Sequence, residues 1–357
     1  MTSFAIVITC YNYGHYVGQA IESALSQTRP ADEIIVLDDG STDDSKSVIS
    51  FYSGRIRPIF QANQGYKKTI NRGFRETSAD VVLFLDADDA LHPTALEKVE
   101  QAWCPGLAKV QFDLDIIDGE GRRLGRRFAS FARDIPCRET AAAFRTTGTY
   151  RWPVTSGNAH ARQFLEQVMP LNPPVGPDGL LNTIAPLYGG IYTIGEALGV
   201  YRLHDRNMSR NDGRGGFKRH PDFARRIAFR LREFDMLREH AQAKAVALPQ
   251  GNLLDNELVF VNYRLMSRKI GQSYEGQERD SVLGLWRRGT RLSFLETSWR
   301  AVLANIAWLT LLALAPRRLA EAMVVLRFNR AEFFRIAKEK INRALALFGL
   351  RPRVVSP

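Results

Sequence analysis

Short apolar runs alternate with amphipathic segments through the first hundred residues of the chain. The apolar runs are rich in Ile, Val, Leu and Phe without strict alternation, as expected for strands that are buried on both faces of a parallel sheet. They are FAIVITC (4–10), EIIVLDD (33–39), IRPIF (56–60) and VVLFLDADD (81–89). Segments 17–26, 42–52 and 67–77 between them have the spacing of helices. This repeated strand–helix–strand order predicts right-handed crossovers and an open α/β sheet.

The pattern changes near residue 109. The segment KVQFDLDIID (109–118) predicts a strand that enters a glycine-containing turn, and a helix is expected over 179–187. A segment rich in Gly and Arg, 210–220, indicates a loop or a domain boundary. Helical stretches follow it at roughly 221–245 and 252–271.

An uncharged segment, Ala301–Ala315, is followed by a strongly basic one. A helix of this length spans about 22 Å, against roughly 30 Å of hydrocarbon, so it is too short to cross a bilayer. Residues 317–353 hold ten Lys and Arg against three Asp and Glu, and their apolar positions form one helical stripe. This profile predicts an amphipathic helix at a membrane surface; a helix packed on its own domain or an oligomer interface is the alternative. The stripe consists of Phe334, Ala337, Ile341, Leu345 and Phe348.

Composition excludes several classes of protein. With 45% hydrophobic and 24% charged residues, the chain is neither collagen-like nor disordered. Its cysteines, Cys10, Cys104 and Cys137, are too scattered for a disulfide framework or a structural zinc site, which favours a reducing compartment. The chain begins without a basic region, and its first apolar run is too short for a signal peptide. We therefore expect a cytoplasmic protein.

The net charge of +11 is unevenly distributed. Residues 1–100 carry a net charge of −5 and the remainder carries +16. An acidic first part beside a basic remainder favours a metal-using site next to a surface that meets something anionic. The basic residues lack a helix-turn-helix or aromatic-ribbon context, so a nucleic-acid partner is not expected.

Three carboxylates lie within four residues at the end of the fourth strand, in Asp86-Ala87-Asp88-Asp89. Like charges this close repel one another unless a cation sits among them. Oxygen ligands suit Mg²⁺ or Mn²⁺, which complete their shells with phosphate oxygens and water, so a diphosphate ligand is implied. The alternative is a solvated loop in which Asp89 caps a helix beginning near Pro93.

Two further strands end in polar residues at the same predicted edge of the sheet. In Asp38-Asp39-Gly40-Ser41 a carboxylate can accept the ring N–H of uracil or guanine, and Gly40 allows close backbone approach. The first strand ends in Thr9-Cys10-Tyr11-Asn12, whose backbone and ring can flank a base. Ligands of open α/β sheets bind beyond the carboxyl ends of the strands, where all three segments are expected to meet.

Together the segments VITCYNYGHYVGQAIESALSQTRPADEIIVLDDGSTDDS, NQGYKKTINRGF and VVLFLDADD resemble the nucleotide-sugar-binding half of the family 2 glycosyltransferases. The resemblance implies a GT-A fold, an α/β, Rossmann-like, open and mostly parallel sheet with flanking helices, followed by a helical C-terminal region. It implies a catalytic domain over 1–215, with the nucleotide-sugar site in 1–100 and the acceptor side in 101–215. Residues 216–357 would form the helical, membrane-associated region.

The resemblance also implies roles for single residues. Thr9, Tyr11 and Asp39 would contact the nucleoside, Asp86 would lie near the ribose and Asp88 would bind the Mn²⁺ or Mg²⁺ on the diphosphate. Asp86 is a second candidate metal ligand. Lysines at the start of the third helix would reach the diphosphate, although an exposed helix start explains them equally well. The further residues assigned to the nucleotide-sugar site are Asn12, Asp38, Lys67 and Ala87.

The second half of the domain would supply the acceptor side. Members of this family invert the anomeric centre in one displacement, and a carboxylate takes the proton from the acceptor hydroxyl. Asp178, in Gly176-Pro177-Asp178-Gly179, is the candidate base, although Pro177 and Gly179 depart from the family pattern and Asp178 could instead cap its helix. His204 would complete the metal shell or bind a phosphate oxygen. The turn expected to contact the acceptor is Ser156, Gly157 and Asn158.

These features predict an inverting, metal-dependent glycosyltransferase that uses a nucleotide-diphosphate sugar, with UDP favoured. The acceptor would be a saccharide or a lipid-linked molecule in surface polysaccharide or glycan biosynthesis. The enzyme would bind it at the inner face of an anionic membrane, as a peripheral or monotopic protein. A homo-oligomer is a further expected partner state. One alternative is a catalytically idle sugar-nucleotide-binding protein. The other is a haloacid-dehalogenase-like phosphatase, because the segment DADDAL loosely resembles the aspartate motif of that class. That motif belongs on the first strand, however, whereas DADDAL follows the fourth.

Overall fold

The computed structural model describes residues 2–172, 175–204, 207, 221–296 and 298–328. The chain divides into two compact units, one formed by residues 1–207 and 232–253, the other by 208–231 and 254–357. The sequence places a single boundary at residue 215, whereas the structure returns residues 232–253 to the first unit. The predicted loop at 210–220 and the predicted amphipathic stripe from Phe334 to Phe348 lie outside the described residues.

The first unit is built on one sheet of nine strands in the described residues, ordered β3-β2-β1-β4-β8-β6-β9-β5, with β7 paired to β6. The four predicted strands of the first hundred residues are all present. The strands are β1 (Phe4–Cys10), β2 (Glu33–Asp38), β3 (Arg57–Phe60), β4 (Val81–Asp86), β5 (Ala90–Leu91), β6 (Leu107–Asp118), β7 (Arg123–Arg127), β8 (Asn158–Ala161) and β9 (Gly190–Leu203).

Parallel pairing dominates the first part of the sheet. Strands β3, β2, β1 and β4 run parallel, and β6 and β9 form a further parallel pair. Strand β8 is antiparallel to both of its neighbours, β4 and β6, so the sheet as a whole is mixed. The predicted fold class is confirmed, with the antiparallel strands confined to the part of the chain after residue 90.

Helices of the first unit flank this sheet. Helix α3 packs so closely on β1 that a Cβ atom at Gly73 would lie 2.5 Å from Val7 Cγ1, which explains the glycine. Helices α1 and α4 contribute to the buried core with the central strands. The helices are α1 (Gly14–Leu25), α2 (Ser45–Phe51), α3 (Tyr66–Glu76), α4 (Ala95–Ala102), α5 (Cys137–Thr147), α6 (Arg162–Val168), α7 (Pro177–Ile184) and α8 (Phe223–Ala243), whose first residues belong to the second unit.

The second unit is helical where the structure describes it. Its helices α9 (Leu258–Ile270), α10 (Val282–Ser293), α11 (Trp299–Leu314) and α12 (Arg317–Phe328) enclose a small apolar core. Arg264 is buried in this unit, where it is paired with two carboxylates, Asp255 and Asp280. The helix predicted for the uncharged segment is confirmed as α11. Among the described residues, every helix is too short or too polar to cross a bilayer.

Candidate active site

The carboxyl ends of three neighbouring strands meet at one edge of the sheet. Strand β1 lies between β2 and β4, and its register pairs Cys10 with Asp38 on one side and Thr9 with Asp86 on the other. This arrangement brings the three polar segments together, as the sequence predicts. The edge therefore has an acidic group on each side of the end of β1.

Two carboxylates at the end of β4 are held by different hydrogen-bond donors. Tyr66 Oη donates to Asp86 Oδ1 at 2.9 Å, and Ser156 Oγ donates to Asp89 Oδ2 at 2.6 Å. Burial raises the pKa of both Asp86 and Asp89 well above the usual range, and the negative charge of nearby carboxylates, including Asp88, raises them further. These groups therefore resist ionising together unless positive charge arrives.

Asp89 has a structural position that differs from the helix cap considered above. Its carboxylate accepts from Ser156 Oγ and, at 3.0 Å, from the backbone N–H of Arg202. Helix α4 begins only at Ala95, and Thr94 precedes it. Asp89 thus ties the end of β4 to β9 rather than capping a helix, because its side chain points into the protein and is 1% exposed.

Asp88 is enclosed by residues from the end of β9. Its Oδ2 atom lies 2.9 Å from His204 Nε2 and accepts a 3.2 Å hydrogen bond from Asn207 Nδ2. The imidazole of His204 stacks on Tyr16, with ring centroids 5.1 Å apart. Arg202 donates from Nε to the carbonyl of Asp88 at 2.9 Å. The sequence suggested that His204 acts with Asp88, and the structure places the two side chains in contact.

The donor set around Asp88 fits a hard divalent cation. Within the described ranges no three His, Cys, Asp or Glu side chains converge as a complete metal cage. Mg²⁺ and Mn²⁺ can bind through one or two carboxylates and take their other ligands from phosphate and water. A metal-binding role for Asp88, Asp86 and His204 remains a prediction. A cation bound near Asp88 would offset the repulsion among these carboxylates.

Asp178 is connected to Asp86 by a chain of hydroxyl groups. Thr155 Oγ1 donates to Asp178 Oδ1, and Tyr66 Oη lies 3.1 Å from Thr155 Oγ1 while donating to Asp86. Asp178 is the second residue of α7, and Gly176 occupies the N-cap position, so Asp178 is not the capping residue. Burial raises the pKa of Asp178, which the hydrogen bond from Thr155 opposes. Tyr66 and Thr155 were missed in the sequence.

The two carboxylates that follow β2 are held by hydrogen-bond donors. Asp39 accepts from Gln61 Nε2 at 2.7 Å and from the backbone N–H groups of Gln64 and Gly65 at 2.9 and 2.8 Å. The carboxylate expected to contact the base is thus already bonded to the loop before α3. Asp38 Oδ2 accepts from the backbone of Ser41, while its Oδ1 atom is buried and has no partner in the described part of the chain.

The other residues assigned to the nucleotide-sugar site surround this edge. Tyr11 is 46% exposed, whereas Thr9 and Ala87 are buried. Asn12 has a left-handed backbone, with φ of 58°, and its Oδ1 accepts from the N–H of Thr42 at 2.8 Å. Lys67 lies in the first turn of α3, where partial burial lowers its pKa. Their contacts with a ligand remain predictions.

The turn that leads into β8 is buried behind the carboxylates. Ser156 bridges Asp86 and Asp89, since its Oγ accepts from the N–H of Asp86 at 3.2 Å and donates to Asp89. Gly157 is also buried, and Asn158 Oδ1 accepts from Lys109 Nζ at 2.7 Å. The side chains of this turn thus support the site from within, and an acceptor contact from its backbone remains a prediction.

A lysine that the sequence analysis passed over lies behind Asp178. Lys109 is fully buried and donates to the side-chain oxygens of Asn158 and Asn182, and Asn182 Nδ2 in turn donates to the carbonyl of Asp178 at 2.8 Å. Burial lowers the pKa of Lys109 well below its usual range. His160 lies nearby, and burial together with Lys109 lowers its pKa to about 3. The sequence signal that could have identified this group is a lysine within a strand that is otherwise rich in apolar residues.

Comparison with known proteins places this geometry in a family. The model named "Glycosyl transferase family 2" matches residues 5–162. Those residues form a family 2 glycosyltransferase domain. The glycosyltransferase domain contains all the acidic segments at the sheet edge, and the predicted resemblance is confirmed. An uncharacterised glycosyltransferase of Nostoc sp. is 37% identical over 212 residues, which cover 57% of this chain and 65% of that protein. The match thus spans less than two thirds of the relative's length.

Solved structures resemble the chain beyond the matched domain. Staphylococcus aureus TarS 1–349, in complex with UDP-GlcNAc, has a TM-score of 0.56 at 15% identity, covering 90% of this chain and 91% of that one. The mannosyltransferase PcManGT of Pyrobaculum calidifontis, in complex with GDP-Man and Mn²⁺, has a TM-score of 0.50 at 14% identity, covering 90% and 86%. At such identities the likeness concerns the fold alone, and it agrees with the expected GT-A architecture.

Proposed function

We propose that the protein is an inverting, metal-dependent glycosyltransferase. It transfers a sugar from a nucleotide-diphosphate sugar to a saccharide or lipid-linked acceptor, in the synthesis of a surface polysaccharide or another glycan. The observation that carries this proposal is the convergence of carboxylates at one edge of the sheet. Asp86 and Asp88 can hold a cation and a diphosphate, and Asp178, linked through Tyr66 and Thr155, stands beside them.

The nucleoside binds in this proposal where β1 and β2 end. Asp38 Oδ1 is a buried acceptor that lacks a donor in the described chain, and such atoms call for a partner. The ring N–H of uracil supplies one. Tyr11, which is nearly half exposed, covers the face of the base. Bound UDP-GlcNAc in TarS and GDP-Man in PcManGT support a nucleotide sugar as the donor class; we favour UDP.

The cation is Mn²⁺ or Mg²⁺. Asp88 would hold it, together with Asp86 and His204, and the presence of Mn²⁺ in PcManGT supports this choice. When bound, the ion supplies positive charge that stabilises the diphosphate as it leaves. The chain itself holds the carboxylates in position through Tyr66 and Asn207.

The chemical step is a single displacement at the anomeric carbon. Asp178 takes the proton from the acceptor hydroxyl as that oxygen bonds to C1, and the bond between C1 and the diphosphate oxygen breaks on the opposite face. The nucleoside diphosphate departs with the bonding electrons. A carboxylate with a raised pKa is a stronger base when ionised than one with the usual pKa, which suits this role.

A basic groove beside the site suits a phosphate-bearing acceptor. The turn after β6 is close to His204, since a Cβ atom on Gly119 would lie 3.6 Å from His204 Cβ. The adjoining β6–β7 hairpin forms an open groove of about 500 Å³, lined by three arginines and by Asp115. Asp115 lies 3.4 Å from Arg123 and 3.7 Å from Arg127, so the arginines exceed the carboxylate by two positive charges. The third arginine is Arg126. Because lipid-linked acceptors carry phosphate groups, this groove favours them over neutral saccharides. We place the enzyme at the inner face of an anionic membrane, as a peripheral protein.

Thermal unfolding with nucleotides tests the donor site. UDP, GDP and dTDP are added with and without Mn²⁺ to the wild type, to Asp88→Asn, and to Asp235→Asn as a control on the exposed side of α8. A ligand at a hundred times its Kd stabilises by about 2.7 kcal/mol. We expect a Mn²⁺-dependent rise with UDP in the wild type and the control only. An equal rise in EDTA contradicts the metal-dependent site.

Turnover separates the remaining functions. An idle binding protein raises its melting temperature with UDP and Mn²⁺ but releases no UDP from a UDP sugar at any acceptor concentration. A haloacid-dehalogenase-like phosphatase releases phosphate from simple phosphate esters and needs an aspartate nucleophile at the end of the first strand, where Thr9 stands. Transfer of the sugar with inversion of the anomeric configuration, as measured by NMR of the product, would support the proposal.

A further inference from the structure

Helix α11 has an apolar face that is open to solvent. Trp299 is 67% exposed, Leu303 57%, Leu311 61% and Leu314 79%. At about 100° per residue, these positions and two exposed alanines fall within an arc of roughly 140° on the helix. We call this the outward face, and it consists of Trp299, Leu303, Ala304, Ala307, Leu311 and Leu314.

The opposite side of α11 already holds the unit together. Leu309 and Leu312 are fully buried in the core shared with α9 and α10. Two polar groups of the helix also bond within the unit, since Trp286 Nε1 donates to Thr310 Oγ1 at 2.9 Å and Trp308 Nε1 donates to Asn262 Oδ1 at the same distance. The outward face is therefore not needed for packing, and substitutions there should leave the fold intact.

Positive charge lies at both ends of the outward face. Arg300 is in the first turn of α11, and Arg317 and Arg318 follow its end, all of them exposed. Residues 301–316 between them carry no charged side chain, and residues 281–328 contain seven arginines against two glutamates. An apolar strip with cations at its ends matches the boundary between acyl chains and anionic headgroups.

A bilayer surface fits this face better than a second copy of the chain. With sixteen residues α11 is about 24 Å long, which is too short to span but sufficient to lie in the interface. Two copies packed through the face in antiparallel fashion would bring Arg300 of one against Arg317 and Arg318 of the other, and like charges repel.

We propose that the outward face of α11 inserts into the interface of an anionic bilayer, where Arg300, Arg317 and Arg318 bind lipid phosphates. This surface gives the peripheral location in the proposed function a definite site. Membrane binding through this face does not depend on the sugar-transfer chemistry, so an experiment can contradict either proposal without contradicting the other.

Vesicle binding by the full-length protein tests the proposal. Sedimentation with phosphatidylcholine vesicles, with and without phosphatidylglycerol, is compared for the wild type, for Leu303→Glu/Leu311→Glu, and for Phe51→Glu. Phe51 is the matched control, because it is an apolar side chain 84% exposed on α2. We expect the double variant to bind anionic vesicles on the order of 10- to 100-fold more weakly, and the control to bind like the wild type.

Two further measurements assign the contact. Replacing Arg300, Arg317 and Arg318 by Ala should weaken binding to anionic vesicles by about fivefold for each arginine and leave binding to neutral vesicles unchanged. Brominated lipids should quench the tryptophan fluorescence of the wild type, and Trp299→Phe should remove most of that quenching. The second readout depends on depth of insertion and not on charge.

Several outcomes would overturn the proposal. One is a wild type that ignores anionic vesicles at low salt, and another is a double variant with unchanged melting temperature that binds them normally. A dimer that Leu311→Glu converts to a monomer, without any vesicle binding, assigns the face to a second copy instead. Release of UDP from a UDP sugar, measured without vesicles, should be the same in the double variant and the wild type, so loss of that activity in both would count against the proposed function alone.

Discussion

Two groups of carboxylates stand at the ends of β2 and β4, the strands on either side of β1, and their surroundings differ. Asp39 receives three hydrogen bonds, two of them from backbone N–H groups of the loop before α3. Asp86, Asp88 and Asp89 are crowded together, and burial and mutual repulsion raise the pKa of Asp86 and Asp89. The hydrogen bonds of the first group fix a loop, whereas the carboxylates of the second group repel one another when they ionise. Similar sequences of acidic residues thus hold a loop at β2 and, in the proposed function, bind a cation at β4.

Removing the proposed base should give the largest effect. Asp178→Asn keeps the shape of the side chain and its contact with Thr155 but cannot accept the acceptor proton, so kcat should fall on the order of 10²–10⁴-fold. Donor affinity should stay within about twofold of the wild type, because the residue acts on the proton and not on the nucleotide. Single-turnover kinetics and UDP titration measure the two quantities. A near-normal kcat would move the role of base to another carboxylate.

Replacing a carboxylate of the crowded group should weaken ligand binding without harming the fold. Asp88→Asn removes one like charge beside Asp86 and Asp89, so the unliganded melting temperature should not fall. Mn²⁺-dependent affinity for UDP should drop about 10- to 100-fold. Calorimetric titration of UDP with Mn²⁺ gives the affinity, and Asp235→Asn serves again as the control. A large loss of stability in Asp88→Asn would show that this group is structural after all.

The opposite result is expected at β2. Asp39→Ala leaves the loop donors without their acceptor and should lower the free energy of unfolding by about 1–3 kcal/mol, measured by urea denaturation. Asp38→Asn is the matched control, because its Oδ1 atom has no partner in the described structure. Its stability should stay within about 0.5 kcal/mol of the wild type. Equal losses in the two variants would remove the distinction between them.

The smallest effect should be a dependence of stability on pH in the absence of metal. Asp86 and Asp89 have raised pKa values in the folded state, so their protonated forms favour folding and this contribution is lost as pH rises through the folded pKa. The metal-free protein should therefore gain stability as pH is lowered from neutral, by at most about 1.4 kcal/mol per pH unit for each proton bound.

Mn²⁺ with UDP should flatten that slope, because the cation offsets the repulsion that raises the pKa values. Urea denaturation at several pH values measures the slope in each condition. Asp86→Asn should have a smaller slope than the wild type without metal. The same slope with and without Mn²⁺ would argue that the cation does not bind among these carboxylates.

The sequence predicted the sheet edge well because its signals are local. Apolar runs followed by Asp38 or Asp86 identify buried strands and the ends where polar groups gather. What the pattern could not supply is which carboxylate receives donors, since the donors of Asp39 lie in a loop more than twenty residues away. The sequence interpretation therefore assigned the base contact to Asp39, while Asp38 has an acceptor that no donor among the described residues satisfies.

Contacts between residues far apart in the chain account for the other features that the sequence did not predict. Tyr66 and Thr155 join Asp86 to Asp178 across distant parts of the chain, and neither residue type is unusual in its local context. Lys109 was overlooked because a lysine in a strand usually faces water, whereas here asparagine side chains bind its ammonium group in the interior. The antiparallel insertion of β8 was unforeseen for the same reason, since its pairing with β4 joins residues about eighty positions apart.

The residues that enclose Asp88 have a consequence for the order of synthesis. Arg202, His204 and Asn207 follow Asp88 by 114 to 119 positions, so the ribosome releases the acidic end of β4 long before the groups that surround it. A nascent chain that stops short of residue 207 carries crowded carboxylates without that enclosure. The proposed donor site is thus acquired only when translation of the domain is nearly finished, and nucleotide binding distinguishes a completed domain from a truncated one.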